Sequence, residues 1–242
     1  MPLSRDEVLQ GSIRLVNEHG LDALTMRRLA DTLGVQAGAI YWHFADKQAL
    51  YDAMGDSILT GLLEPPLTGG WDAQLTEICR RIATSFLRMR DGALLATRGL
   101  RPGPNALAVS EKMLAVARDA GFSGEHSIWA TAALGYYVLG WVTDLQATEA
   151  AMARGLRSVL QSFAKNIDRD KYPNLAELGE GGLEQLTSTR DFSARFEYGL
   201  EVIIDGLRAV RRRSPEKQSP KKPKPKKPKK PKSKKPKPRR RR

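Results

Sequence analysis

Between residues 25 and 47 the chain gathers side chains suited to gripping a nucleic-acid duplex. Gln36 offers an amide that can bond an adenine edge or a phosphate. Ala37, Gly38 and Ala39 follow it, small enough to let a backbone approach the bases. Trp42 and His43 are polar-tipped, Lys47 suits a phosphate contact, and Arg27 upstream can reach either a guanine or the backbone. Glycine at position 38 costs about 1 kcal/mol relative to alanine inside a helix, and close approach to a duplex supplies a reason for it. Enzyme chemistry has no comparable cluster. We find no glycine-rich phosphate loop, no histidine–carboxylate pair at catalytic spacing and no nucleophile motif, so the chain reads as a non-enzyme. One cysteine, Cys79, and three histidines, His19, His43 and His126, leave no thiolate metal cluster and no disulfide within the chain. Neither a metal nor a cofactor is expected.

A second chemical feature lies at the other end. Of 40 lysines and arginines in 242 residues, 19 fall within 211–242 beside one acidic residue, Glu216. The net charge of +13 therefore hides a body of residues 1–210 that carries 21 basic and 26 acidic groups. The basic run alternates lysine with proline, includes Ser214-Pro and Ser219-Pro-Lys-Lys, and ends on Arg239 to Arg242. Those Ser-Pro-basic units resemble linker-histone tails. A segment of this composition buries nothing, so it is expected to be disordered and to raise affinity for any polyanion. A solubility, localisation or fused element would read the same way.

Helical periodicity positions these groups, and strand-like alternation is absent, which makes the expected fold all-α. Ser4-Arg-Asp-Glu7 is a capping box that opens a first helix, with Val8, Ser12, Leu15 and Val16 on one face and Gly20 as its stop. Thr25 caps a short second helix. Gly34-Val35 make a tight turn, and a third helix carries Ile40, Tyr41 and Phe44 as candidate core. Asp46 caps a fourth with Leu50, Tyr51, Met54 and Ile58 in a stripe. Two short helices around Gly34-Val35 match a helix-turn-helix, whose second helix enters the major groove, although such hairpins also occur in plain helical bundles. Pro65-Pro66 and Gly69-Gly70 mark a boundary. Further helices are expected over about 71–89, 106–120, 127–148 and 151–165, then an irregular stretch over about 166–189, then a last helix with Phe192, Phe196, Leu200, Ile203, Ile204 and Leu207 on one side. The most apolar run, Trp129 to Val142, is 14 residues long and too short to span a bilayer. With no apolar leader, the protein is expected to be cytoplasmic and nucleoid-associated.

The run Leu24-Thr-Met-Arg-Arg-Leu-Ala-Asp-Thr-Leu-Gly-Val35, followed by Ile40-Tyr-Trp-His-Phe-Ala-Asp-Lys47, closely resembles the DNA-binding domain of the TetR family. Trp71, Arg90 to Ala93, Arg101-Pro102, Gly121-Phe122, Leu139-Gly140 and Gly199 to Leu207 extend the likeness in order. The resemblance implies an N-terminal three-helix helix-turn-helix domain over residues 1–64, a larger helical ligand-binding and dimerisation domain over 65–210, and an added disordered tail over 211–242. It places Arg27, Gln36, Ala37, Gly38, Ala39, Tyr41, Trp42, His43 and Lys47 on or beside the family's DNA contacts. Two segments, 127–148 and the last helix, would pair with their copies as a four-helix bundle. That homodimer suits a palindromic double-stranded operator.

Tetracycline-binding members of that family hold a magnesium–drug chelate through histidines and amides. At the corresponding places this chain carries Leu63, Ile78, Met113 and Tyr136, with Asp144 the one surviving carboxylate. Mg²⁺ requires an oxygen-rich shell, which these residues do not offer. The resemblance therefore implies a pocket lined by Leu63, Ile78, Ile82, Met113 and Tyr136, with Trp129 and Trp141 as further candidates and Arg101 or Asp144 as polar anchor. Arg101-Pro102 marks the region that couples ligand to helix movement. The function expected is a ligand-responsive repressor that leaves its operator on binding a small lipophilic or aromatic effector. The competing reading is a ligand-independent architectural DNA-binding protein in which the tail dominates. All-core packing of the same apolar residues is the plain alternative to a pocket.

Overall fold

A computed structural model describes residues 3–177, 179, 182 and 192–213 of the chain. Every regular element among them is helical: α1 Arg5–His19, a 3₁₀ turn Leu21–Ala23, α2 Met26–Leu33, α3 Ala37–His43, α4 Lys47–Ser57, α5 Trp71–Leu87, α6 Gly92–Arg98, α7 Pro104–Asp119, α8 Gly124–Ala153, α9 Leu156–Lys165 and α10 Phe192–Arg213. Local chemistry accounts for three of the first four, α1, α2 and α4. The Ser4 hydroxyl accepts from Glu7 N–H at 3.1 Å while the Glu7 carboxylate accepts from Ser4 N–H at 2.7 Å, a closed capping box. Thr25 and Asp46 cap α2 and α4 by accepting from Arg28 and Ala49 N–H. Gly34 ends α2 at φ +67°, a left-handed conformation that a Cβ would disfavour.

Two cores form. Val8, Leu15, Leu29, Ile40, Phe44, Leu50 and Met54 pack the head formed by α1–α4, and Met89 and Leu95 from the body complete it. The body core joins α5, α7, α8 and α10 through Leu75, Ile78, Met113, Leu134, Val138, Phe196 and Leu200. Ile58, just past α4, packs against both. Expected boundaries move in five places, one of them the helix expected over 151–165, which begins at Leu156. The segment α6 was not anticipated. The helix expected from 127 begins at Gly124 and runs to Ala153. Residues 173–177, within the stretch expected to be irregular, are helical. The last helix runs on through Arg213, so the first three residues of the expected 211–242 tail are helical, and 214–242 lie outside the described residues. Among the described residues, no helix is long and apolar enough to cross a membrane.

Candidate DNA-reading interface and effector region

On the head, Ile40 and Phe44 bury one side of α3 against α1 and α2, which turns the other side outward. Arg27, Gln36, Ala37 and Gly38 are exposed there, and Ala39 and His43 are half-buried. Trp42 is 87% exposed, so it contributes almost nothing to the core. Tyr41 departs from the core role considered for it: it is 50% exposed, because the helix turns about 100° per residue and Ile40 takes the inward position. The amide of Gln36 makes no cap bond to α3, although Gln36 occupies the N-cap. A Cβ on Gly38 would meet nothing within 4 Å, so no packing inside the protein demands glycine there. The Lys47 ammonium, on the first residue of α4, lies 5.2 Å from the Tyr51 ring centroid.

Two junctions tie this head to the body. At the first, α4 presents Gln48, Asp52 and Asp56 on one face. Asp52 accepts from Gln48 at 3.0 Å and from Leu100 N–H at 2.8 Å, and Gln48 also donates to Arg98 C=O at 2.7 Å. Burial pushes the Asp52 carboxyl up, but these bonds outweigh it and hold it below the usual range. Asp56 accepts from Ala106 N–H at 2.9 Å and Asn105 Nδ2 at 3.0 Å, and so caps α7 from another element. A Cβ on Gly103 would come within 2.4 Å of the Asp56 carboxyl carbon, which makes glycine a requirement of this approach. At the second junction, Asp91 accepts from Leu21 N–H at 2.8 Å, and Arg90 donates through its backbone to Asn17 and through its guanidinium to Glu18 C=O. Asp91 holds a left-handed φ of +57°, the one such non-glycine among the described residues.

Residues expected at the effector separate into three places. Ile78 and Met113 are buried in the body core, with Leu63 and Ile82 packed at its margin. Arg101 and Pro102 sit on the exposed α6–α7 turn, where they line an open groove of about 530 Å³ with Arg5, Asp52, Asp56 and Asn105. Tyr136 is 77% exposed and Asp144 is also exposed, and within one chain neither meets Ile78 or Met113. The reason is helical phase. α8 buries Ser127, Ala130, Leu134, Val138, Val142 and Leu145, and positions two residues past Leu134 and Val142 turn to the far side. Trp129 is likewise exposed, whereas Trp141 packs tilted against Phe196, ring centroids 4.6 Å apart, between α8 and α10. His19, His43 and His126 stand on three separate helices. Burial pushes the Cys79 thiol up to about 12, so it stays protonated and unreactive.

The α4 latch was missed in the sequence. Its signal was available: Gln48, Asp52 and Asp56 recur every four residues, a polar stripe opposite Leu50 and Met54, on a helix already packed at both ends.

The chain matches the family model described as bacterial regulatory proteins, tetR family, over residues 8–54, and that described as tetracyclin repressor-like, C-terminal domain, over residues 65–211. The class C tetracycline repressor of Escherichia coli is 32% identical over 212 residues, covering 86% of this chain and 92% of that protein. A possible TetR family regulator from Streptomyces coelicolor is 35% identical with a TM-score of 0.76, covering 86% of this chain and all of that one. ActR of the same organism, solved in complex with actinorhodin, is 30% identical with a TM-score of 0.74, covering 86% and 97%.

Proposed function

The chain belongs to the TetR family of bacterial regulators, and from that premise we propose a homodimeric repressor that releases a palindromic operator when a small lipophilic or aromatic molecule enters the body. The observation that carries this reading is the α4 latch. One rigid helix shares the core of the reading head through Leu50 and Met54, and its other face bonds the α6–α7 turn through Asp52 and Asp56. Any shift of that turn is passed to the head, because packed elements move as discrete bodies rather than deforming smoothly.

Ile78, Ile82, Met113 and Leu63 supply the apolar wall an uncharged aromatic effector needs, and Arg101-Pro102 sits where its arrival would be felt. Ile128, Trp129 and Tyr136 of α8 and Tyr198 and Val202 of α10 are large and exposed in one chain. A second copy covering them buries this face and supplies the two-fold axis of the operator. It also brings Tyr136 and Asp144 to the interface, where they stand beside the partner's body.

A titration separates this from a tetracycline sensor and from a ligand-independent architectural protein. A duplex selected from a random pool by the protein is bound, then challenged with tetracycline plus Mg²⁺ and with a panel of aromatic polyketides. Release by a polyketide but not by the magnesium chelate is expected, since no histidines converge to hold the metal. Calorimetric binding of tetracycline that depends on Mg²⁺ overturns the effector class. Indifference to sequence, with no release by any compound, favours the architectural reading.

A further inference from the structure

Helix α6 grips one short turn of the head from both ends. At its start Asp91 accepts from Leu21 N–H at 2.8 Å, and its last residue, Arg98, donates through the guanidinium to Asp22 at 3.1 Å. Leu21 and Asp22 both belong to the 3₁₀ turn. Arg98 also reaches α4. Its carbonyl, which a helix C-terminus leaves without an intrahelical partner, accepts from Gln48 at 2.7 Å. The two junctions that tie head to body therefore meet at one residue. The guanidinium further faces the hydroxyl of Tyr51 on α4, which is buried and makes no formed hydrogen bond among the described residues. That hydroxyl first, and Asp22 second, raise the Arg98 pKa above its ordinary value.

Resting on the reading that the head binds a duplex, we infer that Arg98 is a positioning residue that acts through Tyr51 to set the Lys47 ammonium against a backbone phosphate. Lys47 and Tyr51 stand one turn apart on α4, with the ammonium 5.2 Å from the ring centroid. The ring is 7% exposed, so the head core holds it on its sides while its hydroxyl end meets α6. A lysine stem is long and flexible, and a phosphate contact costs it that freedom. An ammonium resting over a ring face has given up part of it already, and keeps N–H donors for the phosphate. Asp22 is largely exposed, and ion pairs of that kind contribute little to stability. What the pair supplies is geometry. A planar guanidinium carries its donors in a fixed fork that serves a carboxylate and a hydroxyl together, which the point charge of a lysine does not reproduce. A displacement of α6 that opens this fork frees the Tyr51 ring and slackens Lys47, so the grip on phosphate follows the position of α6.

Arg98→Met keeps an apolar stem and removes the fork, and Tyr51→Phe removes the hydroxyl alone. Each is made in the full chain, with and without Lys47→Ala, and measured on a duplex selected from a random pool by the protein. Arg98→Met is expected to weaken that duplex about three- to tenfold, and to lower the slope of log K against log salt by about 0.9 for each phosphate let go, as Lys47→Ala does. Tyr51→Phe should act in the same direction, and carries the test if Arg98→Met does not fold. Combined with Lys47→Ala, either change should cost less than about twofold more, because all three act through one ammonium. Discrimination between matched and mismatched duplexes and the melting temperature should stay as in the parent. Additive losses, an unchanged salt slope or a fall in discrimination overturns the inference and leaves Arg98 a plain fastening between head and body. Acetylation of Lys47 by acetic anhydride, read by mass spectrometry without DNA and against Lys112 of α7, gives a second measurement. It should quicken at least about twofold in both variants as the ammonium leaves the ring. An unchanged rate overturns the inference even where duplex binding falls. If the parent selects no duplex, the reading of the head fails, and the acetylation rates alone decide whether Arg98 places Lys47.

Discussion

Helices in the head begin on their own side chains, and two helices in the body, α6 and α7, begin on those of another element. Ser4, Thr25 and Asp46 each satisfy a backbone N–H within their own first turn. By contrast α5, α6, α7 and α9 start from Gly70, Asp91, Gly103 and Gly155, with no side-chain cap bond. At α7 and α6 the free N–H groups are answered from a distance: Asp56 of α4 accepts from Ala106, and Gln146 of α8 accepts from Ala93. The head is thereby specified locally and holds its shape. The body is specified by contacts that span the chain, which is the property a switch needs. Each region has exceptions, and in the body Asp72 of α5 also accepts from Ala73 N–H in its own first turn. Ser123 caps α8 locally, and α3 in the head leaves Gln36 unspent. On the proposed function, a reading helix that withholds its cap from its own backbone leaves that amide for the duplex, a local concession of the kind functional sites make.

Breaking the distant caps should have the largest effect. Asp56→Ala removes acceptors for Ala106 N–H and Asn105, and should cost about 2–3 kcal/mol in urea denaturation. It should also blunt release of the selected duplex by effector. A variant as stable as the parent with full release breaks the contrast drawn between the two regions.

On the proposed function, the head's contacts divide by what they would touch. Arg27→Ala or Gln36→Ala should each relax discrimination at one base pair by about 1–3 kcal/mol, whereas Lys47→Ala should weaken all duplexes alike. Affinities on matched and mismatched duplexes separate these outcomes. Uniform losses for all three would remove the base-reading role from Arg27 and Gln36.

Gly38 gives a smaller but sharper test. Its added Cβ has open space inside the protein, so Gly38→Ala should stabilise the head by up to about 1 kcal/mol while weakening duplex binding. Thermal melting and anisotropy should move in opposite directions. If both improve, close approach to DNA is not the reason for glycine.

The smallest effect concerns pH. The Arg208 guanidinium beside Asp72 holds its carboxyl below the usual range, and backbone N–H groups do the same at Asp52 against the opposing pull of burial. Folded values below the unfolded value of about 3.9 mean stabilisation that is present above that pH and lost as pH falls through the folded values. Melting temperature should be level from pH 7 to 5 and decline below about 4. In Asp72→Asn the decline should be shallower.

Where the determinants sit within a few residues of each other, the amino-acid sequence by itself determined the outcome. Ser4 with Glu7, Thr25 before Met26 and Asp46 before Lys47 announce three helices, and Gly34 the end of the second, because capping operates within one turn. Tyr41 shows the limit of that reading: both core and surface suited its ring, and only the seating of Ile40 decided. The seven residues of α6 had no local signature, since they hang on Asp91 bonding the head and Gln146 bonding Ala93. Nor could spacing alone tell which face of α8 turns inward. With Ile128, Trp129, Leu134, Tyr136 and Val138 all apolar, the helix is hydrophobic nearly all round and carries no internal mark of its phase. Tertiary packing against α5, α7 and α10 chose Leu134 and Val138 and sent Tyr136 and Asp144 to the other side, because a face is selected by the surface that covers it.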